Sequence, residues 1–458
     1  MFDKDNKFGF INNNESNNNI EGLDKVKTDI NNIKDEVNEL NTQYKNIANK
    51  NTDNYMNNLN LMMYLNQYDY ICAKPIKTMS AFYKPIITSS PNGEPTITDG
   101  NKLTAWAQPD NTMNTIFTYV GGDSNITPAK PTFPYYTLVK CDILSGANVS
   151  PVTQVLFIYD GDEIEVLTNK YSHLYIVVDE GNGFESVTDG YIPLNQTNEF
   201  DYVKLKFPTS KQRVFKIYVE LFGGVVVPNG KTITKFDKTK MLPILAFTGD
   251  SVTEGTQGDG WIHTYPKLIA DSLGYDCIND GIGATGYVAN GSSGERVKIY
   301  DRLDKDVIST DPSIVVFNAG LNDAGAEHLE TLKTEVQKCI DKVKQSLPNC
   351  KLIITSPFPP RTGWTDLCNA GDVIKQKALS NNIAYIDMIN GVTYNENSKI
   401  ITQGFGSWIT GTSIDKKDGN CWMYISTDTT HPTQYGYNYI AKLMTIEIYK
   451  ILNQHLLK

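Results

Sequence analysis

From residue 243 to the carboxyl end the sequence alternates short apolar runs with longer stretches of helical period, and this alternation restricts the fold more than any other feature. "PILAFTG" reads as a strand, "TYPKLIADSLG" as a helix ending at Gly274, and "YDCIND" and "SIVVFNAG" as further strands. "EHLETLKTEVQKCIDKVKQSL" is a long amphipathic helix, followed by the strand "KLIITSP". A weaker helix near 370–380, the strand "NIAYIDM" and a closing helix within "PTQYGYNYIAKLMTIEIYKILNQHLL" complete the series. Strands separated by helices pair in parallel, because each connection must cross back over the sheet. The alternation therefore predicts a three-layer α/β domain of flavodoxin-like type over 243–458. Ligands in such folds bind beyond the carboxyl ends of the strands.

Three of those strand ends carry polar groups suited to one chemistry. "FTGDSVTEG" puts Ser251 after the first strand, though the stretch alone is ordinary turn chemistry. "NDGIGATGY" follows the second with a turn rich in backbone N–H groups, and "NAGLND" brings Asn322 after the third. Far downstream, "STDTTHPT" sets Asp428 three residues before His431, just ahead of the closing helix. Acyl transfer needs a hydroxyl nucleophile, a histidine base, an acid that orients the histidine, and donors for the oxyanion. One sheet edge supplies all four. The alternative makes His431 a surface histidine at a helix start and Asp428 an N-cap. Of the five histidines, however, His173, His263, His328 and His455 lack this companion spacing. His263 is at best a pocket-wall residue, and Asp250 and Asp323 read as loop-fixing acids.

"GDSVTEG", "GLND" and "DTTH" occur in the order of the sequence blocks of SGNH (GDSL-type) esterases and lipases, which residues 243–458 resemble. The resemblance implies that Ser251 is the nucleophile, His431 the base, and Asp428 the residue that holds the imidazole in its productive tautomer. It also implies an oxyanion hole made by the Ser251 N–H, the Asn322 side-chain amide and a backbone N–H of the second block. That block departs from the usual Gly-Gly-Thr-Gly, reading Gly283-Ala284-Thr285-Gly286. Ala284 is the expected donor there and Gly283 the alternative. The reaction implied is ester hydrolysis through an acyl-serine, with no metal and no cofactor.

Residues 70–240 have a different texture. "YYTLVKCDIL", "TQVLFIYD", "LYIVVDE", "DYVKLKF" and "RVFKIYVELFGGVVV" are strand-like runs separated by turn clusters such as "DGDE", "DEGNG" and "PNGK". Short strands at this spacing predict an all-β antiparallel sandwich. Trp106, Tyr135, Tyr136 and Tyr159 are assigned either to a sugar-stacking face or to the core. A β-sandwich ahead of the hydrolase domain also occurs in related carbohydrate esterases.

The amino-terminal part divides in two. Residues 1–20 are asparagine-rich and read as a disordered or partner-ordered tip. In 21–66, Leu23, Ile30, Val37 and Tyr44 occupy heptad position a, and Val26, Ile33, Leu40 and Ile47 position d. A sustained a/d seam must face another helix, and β-branched residues at both positions favour three strands. The alternative, one amphipathic helix on the neighbouring domain, normally shows a wider stripe. A coiled-coil stalk and a homotrimer through 21–66 are thus expected.

Composition excludes some partners. A net charge of −10 argues against nucleic acid and anionic membranes. No apolar run reaches the 18 residues of a membrane span, and the polar start lacks a signal-peptide core. Seven scattered cysteines without CxxC spacing argue against a disulfide framework or a zinc site. No long apolar lid is visible for a fatty chain, so short acyl groups on a surface polysaccharide are the expected substrate. The insert 391–425, with Phe405, Trp408, Trp422 and Tyr424, is assigned to the pocket mouth or to packing. Tip, stalk, sandwich and esterase head together resemble a bacteriophage tail or receptor-binding protein. Such a protein is made in the cytoplasm without a signal peptide and carried on the virion, its tip meeting other tail proteins. A non-catalytic trimeric glycan-binding module and a free bacterial carbohydrate esterase are the alternatives.

Overall fold

The computed structural model describes residues 76–107, 112–128, 138–141, 152–292 and 296–453, besides two exposed helical positions, Asn31 and Lys34. The tip, the stalk seam, and Tyr135 and Tyr136 lie outside the described residues. From residue 76 onward the described chain forms one compact unit.

Its carboxyl-terminal part is built on a mixed sheet of seven strands. Asp276–Gly281 lies at one edge, followed by Ile244–Gly249, Ile314–Asn318, Lys351–Thr355 and Ala384–Asp387, all parallel. The chain order of these five is 2-1-3-4-5, which places the topological switch point between the first strand and the third. Val392–Tyr394 and Ile400–Thr402 extend the sheet antiparallel. That hairpin lies in the segment read from sequence as an insert; its strands are three residues each, too short to produce a periodic signal.

Side-chain alternation divides the core between the two faces of this sheet. Ile244, Ala246, Val315 and Phe317 point to one side, against helices Ile299–Asp306, Leu329–Ser346 and Thr365–Ser380. Leu245, Phe247, Ile314 and Val316 point to the other, against Tyr265–Leu273 and Gln434–Leu452. Each such fully buried Val, Leu, Ile or Phe contributes about 1.5–3 kcal/mol, so the strands that carry the site are firmly held.

The preceding region is an antiparallel sheet of eleven strands among the described residues. Its two longest strands, Thr153–Asn169 and Phe200–Val219, pair along almost their whole length. "DGDE", read from sequence as a turn, lies inside the first of them. The irregularity falls instead on the partner, where the register shifts between Lys206 and Lys211. Pairing continues on both sides of the bulge, so the two halves of the long pair belong to one hydrogen-bonded antiparallel sheet. Residues on both sides of the bulge, among them Phe157, Phe215, Val203 and Leu205, share one core. Tyr159 belongs to that core at 1% exposure, its hydroxyl donating to the Glu163 carbonyl, and is no part of a sugar-stacking face. Trp106 is half-buried and packs against the same core.

This β region abuts the edge strand of the sheet that carries Ser251 and the loop that follows the Ser251 turn. Gln154 Nε2 donates to the Cys277 carbonyl at 2.7 Å, and Lys216 forms a buried ion pair with Asp276. The Tyr218 ring lies 5.5 Å from Trp261, and the Ile262 N–H donates to the Tyr191 hydroxyl at 3.0 Å. In the 391–425 segment Trp408 is buried, Phe405 packs against the core, Tyr424 stacks on Tyr439, and Trp422 meets Lys417. No helix among the described residues is long and apolar enough to cross a membrane.

Candidate active site

The first strand ends in a turn with no room for a side chain. A Cβ on Gly249 would come 2.1 Å from the Asn318 carbonyl oxygen and 2.2 Å from Thr253 Oγ1. Asp250 then caps the one-turn helix Ser251–Glu254 by accepting the Val252 N–H at 3.0 Å. Thr253 Oγ1 donates to the Asn318 carbonyl at 3.1 Å, pinning this turn to the third strand. Ser251 is left 8% exposed, at the carboxyl end of its strand and beside the switch point. Burial and the nearby Asp323 charge push the Asp250 carboxyl up to about 7, against the pull of the Val252 N–H.

The second and third loops are held by Asp323. Its carboxylate accepts the N–H groups of Tyr287 at 2.8 Å, Val288 at 3.1 Å and Ala289 at 2.8 Å. That clamp needs glycine at 286, where a Cβ would sit 2.3 Å from Asp323 Oδ2. Asn322 is exposed and donates one amide hydrogen to the Thr285 carbonyl at 2.8 Å, which leaves its second for another acceptor. Ala284 is also exposed and adopts a left-handed φ of +61°. An L-residue accepts that conformation at a cost of about 1–2 kcal/mol, which explains why glycine suits the position. Among the described residues, neither the Ser251 nor the Ala284 N–H makes a hydrogen bond.

The last loop arrives from the far end of the sequence. Ile425 and Pro432 pair across its base, and the Ser426 N–H donates to the His431 carbonyl at 2.8 Å. Within it Asp428 Oδ1 accepts from the His431 N–H at 2.9 Å, the Thr430 N–H at 2.9 Å and the Ser426 hydroxyl at 2.7 Å. Asp428 Oδ2 lies 2.7 Å from His431 Nδ1, and His431 Nε2 lies 2.8 Å from Ser251 Oγ. Burial opposes ionisation of Asp428, but these donors together hold its carboxyl well below the usual carboxylate range. Thr433, not Asp428, caps the closing helix, accepting from the Gly436 N–H at 3.2 Å.

The fold thus gathers Ser251, Ala284, Asn322, Asp428 and His431 from four loops onto one end of the sheet. Ser426 and Thr430 were missed in the sequence, where they look like two more polar residues of a loop; only the carboxylate they share gives them a role. His263 stands aside from the relay: its carbonyl accepts from Gln434 Nε2 at 2.9 Å, and burial lowers its ring pKa. No group of three or more His, Cys, Asp or Glu side chains among the described residues is arranged to hold a metal ion.

Residues 247–439 match the GDSL-like Lipase/Acylhydrolase family. No curated protein matches the chain in sequence. Among solved structures, the chain is similar to a family two carbohydrate esterase from Cellvibrio japonicus at 12% identity and a TM-score of 0.49, covering 80% of this chain and 99% of that one. A family two carbohydrate esterase from Clostridium thermocellum in complex with cellohexaose gives 15% and 0.43, covering 71% and 99%. A salicylyl-acyltransferase from a tetracycline biosynthetic pathway gives 12% and 0.46, covering 74% and 96%. The chain carries a GDSL-like lipase/acylhydrolase domain over residues 247–439 and is an ester hydrolase.

Proposed function

We propose that Ser251, His431 and Asp428 hydrolyse short-chain acyl esters, acetyl above all, on a polysaccharide. The observation that carries this reading is the unbroken relay from Ser251 Oγ through His431 to Asp428, 2.8 and 2.7 Å long. His431 Nε2 takes the proton as Ser251 Oγ adds to the ester carbonyl carbon. The Ser251 and Ala284 N–H groups and the free Asn322 amide hydrogen receive the oxyanion. Collapse expels the sugar hydroxyl, which leaves with the proton from His431, and an acyl-serine remains. Water, deprotonated by His431, then releases the carboxylic acid and restores Ser251.

Support for a short acyl group on a large alcohol comes from how openly the site meets solvent. Ala284 and Asn322 are both exposed, so a polymer can approach the oxyanion donors directly. Across p-nitrophenyl esters, kcat/KM is expected to be highest for acetate and to fall steadily from butyrate to decanoate. A maximum at octanoate or beyond would contradict the short-chain reading, and acetate release from acetylated xylan, capsule and teichoic acid would sort the glycans.

Asn322→Ala is expected to lower kcat by about 10²–10³ with KM nearly unchanged, the usual cost of one oxyanion donor. A change confined to KM would make Asn322 a binding residue instead.

We further propose that the chain assembles as a homotrimer through residues 21–66, on the strength of the unbroken a/d seam from Leu23 to Ile47. Removing residues 1–66 is then expected to reduce the mass measured by light scattering to that of a monomer. With the relay residues all beyond 243, kcat/KM on p-nitrophenyl acetate should stay within about twofold. Retention on a multivalent acetylated surface should fall by about 10²–10⁴ as avidity is lost. A truncated protein that remains trimeric would place the assembly interface elsewhere.

A further inference from the structure

Beneath the Ser251 turn and the second-block loop lies a buried arginine. Arg302, on the helix Ile299–Asp306, is 3% exposed. Its Nη2 donates to the Gly249 carbonyl at 2.7 Å and the Asp280 carbonyl at 3.3 Å. Nη1 donates to Thr285 Oγ1 at 3.2 Å and the Val297 carbonyl at 2.7 Å. Nε meets the Asp280 carboxylate at 3.0 and 3.1 Å. The five N–H groups of a guanidinium are therefore all engaged, in one plane.

What those partners are matters more than their number. Gly249 stands two residues before Ser251, on the strand that delivers it. Thr285 directly follows Ala284, and its carbonyl is the acceptor that holds the Asn322 amide. We propose that Arg302 is a positioning residue that fixes the spacing between the Ser251 N–H, the Ala284 N–H and the Asn322 amide, so that all three converge on one oxyanion. Asp280 sets the plane of the guanidinium through Nε. Asp306, one turn further along the same helix, has its carboxyl pushed up to about 9 by burial and by the Asp280 charge. Burial likewise raises the Asp280 carboxyl, against the pull of the Arg302 guanidinium it faces. Lysine, with a compact ammonium in place of the planar fork, can keep the ion pair but cannot hold both loops.

The inference rests on the oxyanion assignment above, and the experiment separates the two. Steady-state kinetics on p-nitrophenyl acetate are measured for full-length Arg302→Lys, Thr285→Val and Thr285→Ser, with Asn322→Ala beside them and thermal unfolding to establish that each is folded. Thr285→Val cuts the link between Arg302 and the second-block loop together with the bond from Thr285 Oγ1 to the Ile282 carbonyl at 2.7 Å, Arg302→Lys leaves that second bond intact, and Thr285→Ser restores the hydroxyl. The expected result is a fall in kcat of about 10–10² for Arg302→Lys and about 10 for Thr285→Val, with KM within twofold, because donors out of place are felt only as the oxyanion forms. Thr285→Ser should recover most of the loss. Folded Thr285→Val or Arg302→Lys with wild-type kcat, while Asn322→Ala is impaired, would overturn the role of Arg302 alone. Wild-type kcat in Asn322→Ala would overturn the oxyanion assignment beneath it. Parallel changes in kcat and KM, unrecovered in Thr285→Ser, would reduce Arg302 to a support of the fold.

Discussion

Ser251→Ala is expected to lose ester hydrolysis by a factor of about 10⁴–10⁶ in kcat while remaining folded. The substitution removes the hydroxyl that His431 Nε2 meets at 2.8 Å and leaves the rest of the site in place. Asp250 still caps the turn, Asp323 still clamps the second-block loop, and the Asp428–His431 contact does not pass through the serine. Stability should change by only about 0.5–1.5 kcal/mol, the net worth of one hydrogen bond. Whatever rate survives reflects the oxyanion donors acting on a bound ester attacked by water. A fluorophosphonate probe should label the wild type at Ser251 and leave the variant unlabelled. Labelling that persists in the variant would move the nucleophile to another residue, and unfolding of the variant would show that the hydroxyl supports the turn itself.

The parallel sheet was legible because its five parallel strands are short apolar runs, three of them followed by a helical period, and because three of the four functional blocks fall at strand ends. Ser251 and Asn322 could be chosen from their places at strand ends, which the fold rule puts on one edge, and Asp428 and His431 from their mutual spacing ahead of the closing helix, their roles being those that the family resemblance implies. Geometry contributed the supports. Arg302 sits in "KIYDRLDKD", where the apolar residues are too few to mark a buried helix, and its burial follows from Asp280 and two loops distant in sequence. Ser426 and Thr430 support the relay through the Asp428 carboxylate to which both donate, a link that no local sequence pattern marks. In the β region "DGDE" carries turn chemistry, but the long pairing of Thr153–Asn169 with Phe200–Val219 overrides local preference and moves the bend to the partner strand. Ala284 shows the opposite case: a departure from glycine visible in the sequence, whose cost becomes clear only from its φ of +61°.

Asp428→Asn should be nearly as damaging as loss of the serine, at about 10⁴ in kcat, although it changes one atom's chemistry and almost no volume. Oδ1 accepts three donors, from Ser426, Thr430 and the His431 backbone, so the asparagine oxygen is held at that position and its NH₂ must face His431 Nδ1. An amide N–H pointing at Nδ1 makes that nitrogen an acceptor, and the ring proton moves to Nε2. Nε2 then donates toward Ser251 Oγ and cannot take its proton. The carboxylate also loses its charge opposite the imidazolium that forms in the transition state. Because the donors around Asp428 hold it below the ordinary carboxylate range, the wild-type residue is ionised throughout the neutral region. Its contribution to stability is therefore present above the unfolded-state carboxylate pKa and is lost only as the pH falls through the lower folded value. That contribution is in place at pH 7, so the variant, which lacks the charge, should unfold at a somewhat lower temperature than the wild type there, the gap closing as the pH falls, while it stays folded and its activity is almost gone. In the double variant Ser251→Ala/Asp428→Asn, kcat should be no lower than in Ser251→Ala alone, since the aspartate acts only through a proton transfer that no longer occurs. Additive losses would mean that Asp428 contributes to ester hydrolysis by a route independent of Ser251.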